Sequence, residues 1–441
     1  MNALSGSHLF NRRWPGKVTA IVFLLPLLVF PKALRASDEP QPGADPPLAK
    51  ASVSYSYTLN LAGNPQGGIV PGQTSYADNH RLTIQLPLGS AGDTFKSSEL
   101  ILEAYQRSGV DLSATAIGNQ FTVQQLYGIE TLAFYSIRLQ GKLPALGGTY
   151  KLGRFSSGDD FATWPYYTLA MNNAIDGNPQ SLPVNTGFSS FPNAVWGATV
   201  DLAVGDRSQL RLGSFQVTNP DVLRYHGFNW AIKPGDGLLL MSQLEHCDSC
   251  PGVGWLSQRR QGPPAAAAAV VAQEPSYPLH RRRLALGGYW SLYSQPSFSG
   301  ADPPASTYGA WLHGDATLWQ PRLGGPALAA WASMTSSPQP AVARLPLFWA
   351  LGLVHYGLIP SRPQDSAMLA LYQGRFSPSY MTSIGARNGS GASETVLELG
   401  YRHHLGTQVF LQPNLQLVVH PSGFSTIPTA LVLGLQAGLR L

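Results

Sequence analysis

Residues 156–191 gather Asp159, Asp160, Trp164, Tyr166, Tyr167, Asn172, Asn173 and Asp176 in one stretch, too long for a plain connection. Carboxylates and amides bond to sugar hydroxyls, and aromatic rings cover the apolar C–H faces of a sugar ring. Together they have the makings of a weak carbohydrate-binding surface. The same residues also suit a surface loop whose aromatics pack on one another, and the stretch alone does not separate the two.

A second cluster, His246-Cys247-Asp248-Ser249-Cys250, raises metal, redox and disulfide chemistry. A metal needs more ligands, and only His280 is near. A redox pair needs a βαβ setting, which the surrounding residues do not offer. A short-loop disulfide between Cys247 and Cys250 fits an oxidising compartment. The chain contains no Gly-x-Ser-x-Gly, no His-Glu-x-x-His and no phosphate-cradling glycine loop. His403 and His404 are adjacent on one strand and face opposite sides, so they cannot act on one substrate. No catalytic residue, metal or cofactor is therefore expected.

What must position the polar residues is a series of alternating strands. In residues 409–419 Val409, Leu411, Leu415 and Leu417 take one parity, and Gln412, Asn414 and Gln416 the other. In residues 431–441 leucines at 431, 433, 435, 439 and 441 oppose Gly434, Gln436, Gly438 and Arg440, and in 394–404 Leu397, Leu399 and Tyr401 oppose Glu394, Glu398 and Arg402. A charged, glycine-rich face opposite a leucine face suits a wall between lipid and water. Further candidates lie at 52–61, 80–88, 99–106, 120–127, 130–140, 149–155, 193–203, 208–217, 237–245, 283–293, 307–319, 327–334, 345–356 and 368–376. That is one more than sixteen, and single-chain bacterial barrels close on an even count. The weakest alternation is at 120–127. The expectation is an all-β fold: a closed antiparallel transmembrane barrel of sixteen strands with a long inward-folding loop.

Parity also nominates lumen residues. Glu103, Arg138, Lys151, Arg211, Glu245, Glu394, Glu398 and Arg402 oppose the apolar faces, as do Gln412 and Gln416. Arg154 shares parity with Tyr150 and Leu152, which implies either a bulge or a position beyond the bilayer. With Asp159, Asp160, Trp164, Tyr166 and Asn173 of the long loop, these form the candidate solute pathway, Arg154 included. Interleaved signs favour a neutral hydrated solute over one ion. A second place for a constriction is 216–236, around Arg224, His226 and Trp230.

Charge narrows the partners. The chain carries 29 basic and 24 acidic residues, but five of the basic ones (Arg12, Arg13, Lys17, Lys32, Arg35) fall in the first 36 positions, which hold no acid. The remainder is neutral, and a nucleic-acid partner has no basic surface to use. Those first residues resemble an export signal: a basic start, an apolar run at 18–30 broken by Pro26, then small residues, with cleavage expected after Ala36. No later segment approaches the roughly 20 apolar residues of a spanning helix. Residues 37–50 then read as a periplasmic linker and 51–441 as the barrel, with a Pro/Ala-rich surface insert at 247–279.

Blocks along this barrel resemble the carbohydrate-selective outer-membrane porins of the OprB type. They are Tyr57 through Asn64-Pro65-Gln66-Gly67-Gly68; Leu152-Gly153-Arg154-Phe155 with Asp160-Phe161 and Asn173-Ala174; Pro192-Asn193-Ala194-Val195-Trp196-Gly197 with Asn219-Pro220, His226-Gly227 and Trp230; and Glu394, Leu399-Gly400-Tyr401-Arg402, Gln412-Pro413-Asn414-Leu415-Gln416, His420-Pro421-Ser422-Gly423 and Leu433-Gly434-Leu435. The resemblance implies passive diffusion of mono- or disaccharides through a water-filled lumen, placement in the outer membrane among its lipids, and insertion by the barrel-assembly machinery. A monomer and a homo-oligomer are both compatible with it. The chain departs from the pattern in ending on Leu441 rather than an aromatic, which implies slower or chaperone-sensitive insertion. The alternatives are a non-conducting structural barrel and an outer-membrane lipase-type enzyme, which would need a Ser/His pair at the lipid boundary.

Overall fold

Along residues 393–405 the alternation resolves into an inside-out pattern: Glu394 and Glu398 are fully buried, whereas Leu397 and Leu399 are 42% and 48% exposed. A soluble strand would bury the leucines. Here the polar parity turns inward and the leucines outward, as a wall facing acyl chains requires.

The computed structural model describes residues 51–89, 97–128, 130–218, 222–248, 282–300, 305–322, 325–386 and 393–441. Its strands are β1 (Ser52–Gln66), β2 (Gln73–Pro87), β3 (Ser98–Gly109), β4 (Thr131–Leu143), β5 (Gly148–Phe155), β6 (Val195–Val204), β7 (Ser208–Val217) and β8 (Gly237–Cys247). They continue as β9 (Arg282–Gln295), β10 (Ala305–Trp319), β11 (Ala327–Ser336), β12 (Leu347–Tyr356), β13 (Ser366–Arg375), β14 (Ser393–Leu405), β15 (Val409–Val419) and β16 (Ala430–Arg440). Each pairs antiparallel with its neighbours in the chain, and β1 pairs with β16 to close the barrel. At the seam Ser56 lies opposite Arg440 and Leu61 opposite Leu435. Closure removes every free edge, the condition for a sheet to stand in hydrocarbon.

Among the described residues the strands number sixteen, so one sequence candidate fails. Residues 120–127 belong to the β3–β4 connection and fold into the barrel, with Phe121 and Val123 fully buried. Their weak alternation is that of a packed loop. Conversely, β2 starts at Gln73, well before the expected residue 80. Its first half is polar on both faces: Asn79 points inward, while Asp78 accepts from Ser108 Oγ at 2.6 Å and from Tyr57 Oη at 3.4 Å. Alternation of hydrophobicity cannot show such a strand. Residues 1–36 and 37–50 lie outside the described residues, as do Cys250, His280 and most of 247–279. Cys247, at the end of β8, is disulfide-bonded.

With an even strand count, β1 begins and β16 finishes at one end of the barrel. The connections after β1, β3, β5 and β7 emerge at the other end, and those after β8 and β12 at the end shared with the termini. In the β12–β13 connection Asp365 gathers Arg362 Nε (3.1 Å), Tyr401 Oη (2.9 Å), the His403 ring (2.9 Å) and the His404 N–H (2.9 Å). His403 and His404 thus hold one carboxylate, one by its ring and one by its backbone. Burial alone would raise the Asp365 carboxyl, but Arg362, the His404 N–H, Tyr401 and His403 hold it down to about 2.

A group depressed in the folded state stabilises it fully above the unfolded value of about 4 and loses that contribution as pH falls through the folded one. Acid unfolding should therefore steepen between about pH 4 and pH 2, and in Asp365→Asn this component should vanish while stability at pH 7 drops; urea titrations across pH would measure both. On the lipid face, Leu399→Arg is expected to cost about 2–4 kcal/mol near the bilayer midplane, read from urea unfolding in bilayers.

Candidate functional site

The lumen wall of β2–β4 is built on Glu103. Its carboxylate accepts from Arg81 Nη2 (2.6 Å), Thr83 Oγ1 (3.1 Å) and Arg138 Nη1, with all three partners buried. Arg138 also donates to Ser136 Oγ at 2.7 Å. One carboxylate between two guanidiniums compensates the burial of charge and fixes both cations in place. Arg81 and Arg107 lie 5.0 Å and 4.8 Å from the Phe191 ring, so two cations lie against one aromatic ring. Phe191 comes from the β5–β6 connection, residues 156–194.

That connection turns into the barrel and follows the wall. Asp159 accepts from Tyr135 Oη at 2.9 Å. Asp160 takes Lys151 Nζ at 2.6 Å and Thr199 Oγ1 at 3.2 Å, and its carbonyl accepts from Arg211, whose Nε is paired with Asp201 at 2.6 Å. The Ala162 N–H donates to Gln243 Oε1 at 3.1 Å. Trp164 stacks on His313 of β10, centroids 3.9 Å apart and planes 8° from parallel, and Tyr167 Oη meets His313 Nδ1 at 3.1 Å. Arg283 pairs with Asp315 at 2.8 Å and reaches Glu245 at 3.5 Å.

On β13–β16 the wall reads the loop's backbone. Glu398 accepts the Met171 N–H (2.7 Å), Asn414 Nδ2 (2.7 Å) and Tyr372 Oη (2.9 Å). Arg402 donates to the Thr168 carbonyl at 2.6 Å, Gln412 to the Leu169 carbonyl at 2.7 Å, and Gln416 to the Val123 carbonyl at 3.0 Å while accepting from Asn172 at 2.8 Å. Glu394 caps the other inward segment, taking the N–H groups of Gln120 (2.7 Å) and Phe121 (2.8 Å), and also that of Ser422 in the β15–β16 connection (2.5 Å).

A family model for the carbohydrate-selective porins of the OprB family matches residues 72–441. The chain belongs to the carbohydrate-selective OprB porin family. Two solved structures share the fold of this porin: the high-pH structure of OprB from Pseudomonas putida (19% identity, TM-score 0.74, covering 89% of this chain and 94% of that one) and the low-pH structure of the same protein (16% identity, TM-score 0.52, 89% and 92%). No curated protein matches the porin in sequence. Family and fold are those of an outer-membrane channel, which is not an enzyme, and its activity is passive diffusion of carbohydrate.

Within the porin the parity-selected residues divide by task. Glu394, Glu398, Arg402, Gln412 and Gln416 hold inward-folded backbone, and Lys151, Arg211 and Glu245 belong to ion pairs along the wall that docks the loop. Trp164 and Tyr166 are 1% and 2% exposed and pack against β10 and the charges beside it, so their rings are not open to a solute. Asn173 is half-buried, its N–H donating to the Thr122 carbonyl at 2.8 Å. Arg154 is not a lumen residue. It faces outward with its pair partner Trp196, and its guanidinium donates to the carbonyls of Asn229 and Ala194, both at 3.0 Å. Residues 222–236 cover it there, so this segment folds over the outer wall and is no constriction.

Parity reasoning left out Arg81, although it lies within the 80–88 candidate, and Arg107, which falls one residue past the 99–106 candidate. Removing the Glu398 carboxylate strands three donors, each worth about 1–3 kcal/mol when left buried and unsatisfied. Glu398→Ala should therefore free residues 168–173, raising single-channel conductance and exposing the loop to protease, while the barrel still migrates as folded on an unheated gel.

Proposed function

We propose that sugars cross the barrel along its β1–β4 side, between the Arg81–Glu103–Arg107 wall and the Phe191 and Asp176 side of the inward loop. What carries the reading is the pair of guanidiniums that Glu103 and Phe191 hold at fixed positions beside the loop. Along β13–β16 the inward segments engage Glu394, Glu398, Arg402, Gln412 and Gln416. Among the described residues, polar atoms without a hydrogen-bond partner include side-chain atoms of Gln209, Ser291, Thr307 and Gln436 elsewhere on the wall and, along this path, the Asn60 amide, Arg81 Nε, Tyr105 Oη, Arg107 Nη2 and Asp176 Oδ1. Gly128 leaves room there, since a side chain would place its first carbon 2.9 Å from Arg107 Nη1.

Guanidiniums fixed by Glu103 and Phe191 offer donors that neither swing nor follow an ion. A hydrated sugar exchanges its water bonds for theirs and leaves as easily as it enters. Export through a signal at 1–36, a linker at 37–50, insertion by the assembly machinery and any homo-oligomer belong to the same proposal.

In planar bilayers, Arg107→Ala should weaken the current block by added glucose or a disaccharide. A lost neutral-partner hydrogen bond of about 1 kcal/mol corresponds to about five-fold in affinity. Trp164→Ala should change the block far less. The opposite ranking would move the pathway to the β10 side.

A further inference from the structure

Residues 222–236 leave the end of β7 remote from the termini and turn outward. The Phe134 N–H donates to the His226 carbonyl at 2.9 Å, and Trp196 Nε1 to the Trp230 carbonyl at 2.8 Å, so the segment lies against outward-facing residues of β4–β6. The Phe228 ring stacks on Phe134, centroids 5.5 Å apart and planes 17° from parallel. Gly227, at φ +85°, permits this approach, for a side chain would put its first carbon 1.8 Å from the Phe134 carbonyl oxygen.

Against that wall the segment leaves Phe228 63%, Ile232 75% and Trp230 37% exposed. Next to them Arg224 and Lys233, both exposed, lie 5.2 Å and 5.5 Å from one ring, that of Tyr225. The nearby carboxylate of Asp236 is turned to Gln216 Nε2 at 2.6 Å and to the Lys233 N–H at 2.9 Å. Two cations are thus brought to one tyrosine beside apolar side chains that continue the lipid-facing wall.

We propose that residues 224–233 bind the phosphorylated headgroup of an outer-leaflet lipid, with Arg224 and Lys233 on the phosphate and Phe228 and Ile232 among its acyl chains. Apart from the connection between β8 and β9, the long connections, after β3, β5, β7 and β13, emerge at the end where this segment lies, and those of outer-membrane barrels emerge on the outer side, which sets the segment at the level of the outer leaflet. Aromatic rings at that level anchor to the interface, and Trp196 and Trp230 supply them here. Converging positive charge beside an apolar, acyl-facing surface is complementary to an anionic lipid and to little else at that depth. The inference rests on the barrel standing in the outer membrane, not on which solute it conducts.

The test is native mass spectrometry of the full porin in detergent with lipid A as probe, against dephosphorylated lipid A and phosphatidylcholine. The wild type should retain lipid A through detergent exchange, and Arg224→Gln/Lys233→Gln should bind it at least tenfold more weakly. Sugar-blockable conductance, measured separately, should be the same in both, so failure of the channel reading and of the lipid reading are distinguishable. Phe228→Ser/Ile232→Ser should weaken all lipids alike. Equal retention of the three lipids, no retention, or unchanged binding by the double glutamine variant would overturn the proposal. So would a dimer that disappears in the double serine variant, since a second copy would then be the occupant.

Discussion

A strand in hydrocarbon cannot leave a backbone N–H or C=O unpaired, and the other features of this barrel follow from that constraint. It demands closure, met where β1 meets β16. Closure gives each strand an outer and an inner face, and the outer must be apolar. The polar residues are therefore driven into the lumen, where they concentrate as buried charge.

Buried charge then sets what happens to the connections. A lumen lined with carboxylates, amides and guanidiniums would be costly if empty of partners. Residues 110–130 and 156–194 supply them: Glu394 and Glu398 bind loop N–H groups, and Arg402, Gln412 and Gln416 bind loop carbonyls. The loops bring apolar cargo too. Phe161, Trp164 and Tyr167 pack against Phe215, Trp311, His313 and Trp331 of the wall. The lumen thus contains a core of its own.

The outer surface shows the same economy in reverse. Where β4–β6 would expose Arg154 toward lipid, residues 222–236 fold back over it and its guanidinium donates to the Asn229 carbonyl of that segment and to the Ala194 carbonyl just before β6. An outward arginine on a lipid-facing wall needs such a cover, and the cover brings its own aromatic and basic side chains to the membrane boundary.

Parity in the chain by itself determined the barrel, its antiparallel order and the inward placement of Glu398 or Arg402, because side chains of a strand alternate strictly and lipid tolerates only one of the two faces. It fixed the long loop at 156–191 as the place for polar and aromatic contacts. It did not expose β2 before residue 80, where both faces are polar, nor the loop character of 120–127. Only the tertiary structure decided which inward residues hold loops and which pair with their neighbours on the wall, since Glu398 and Glu103 look alike in sequence. One meets the Met171 N–H and the other meets two arginines. Parity says which way a side chain points; the distance across the lumen to residues hundreds of positions away says what it finds there.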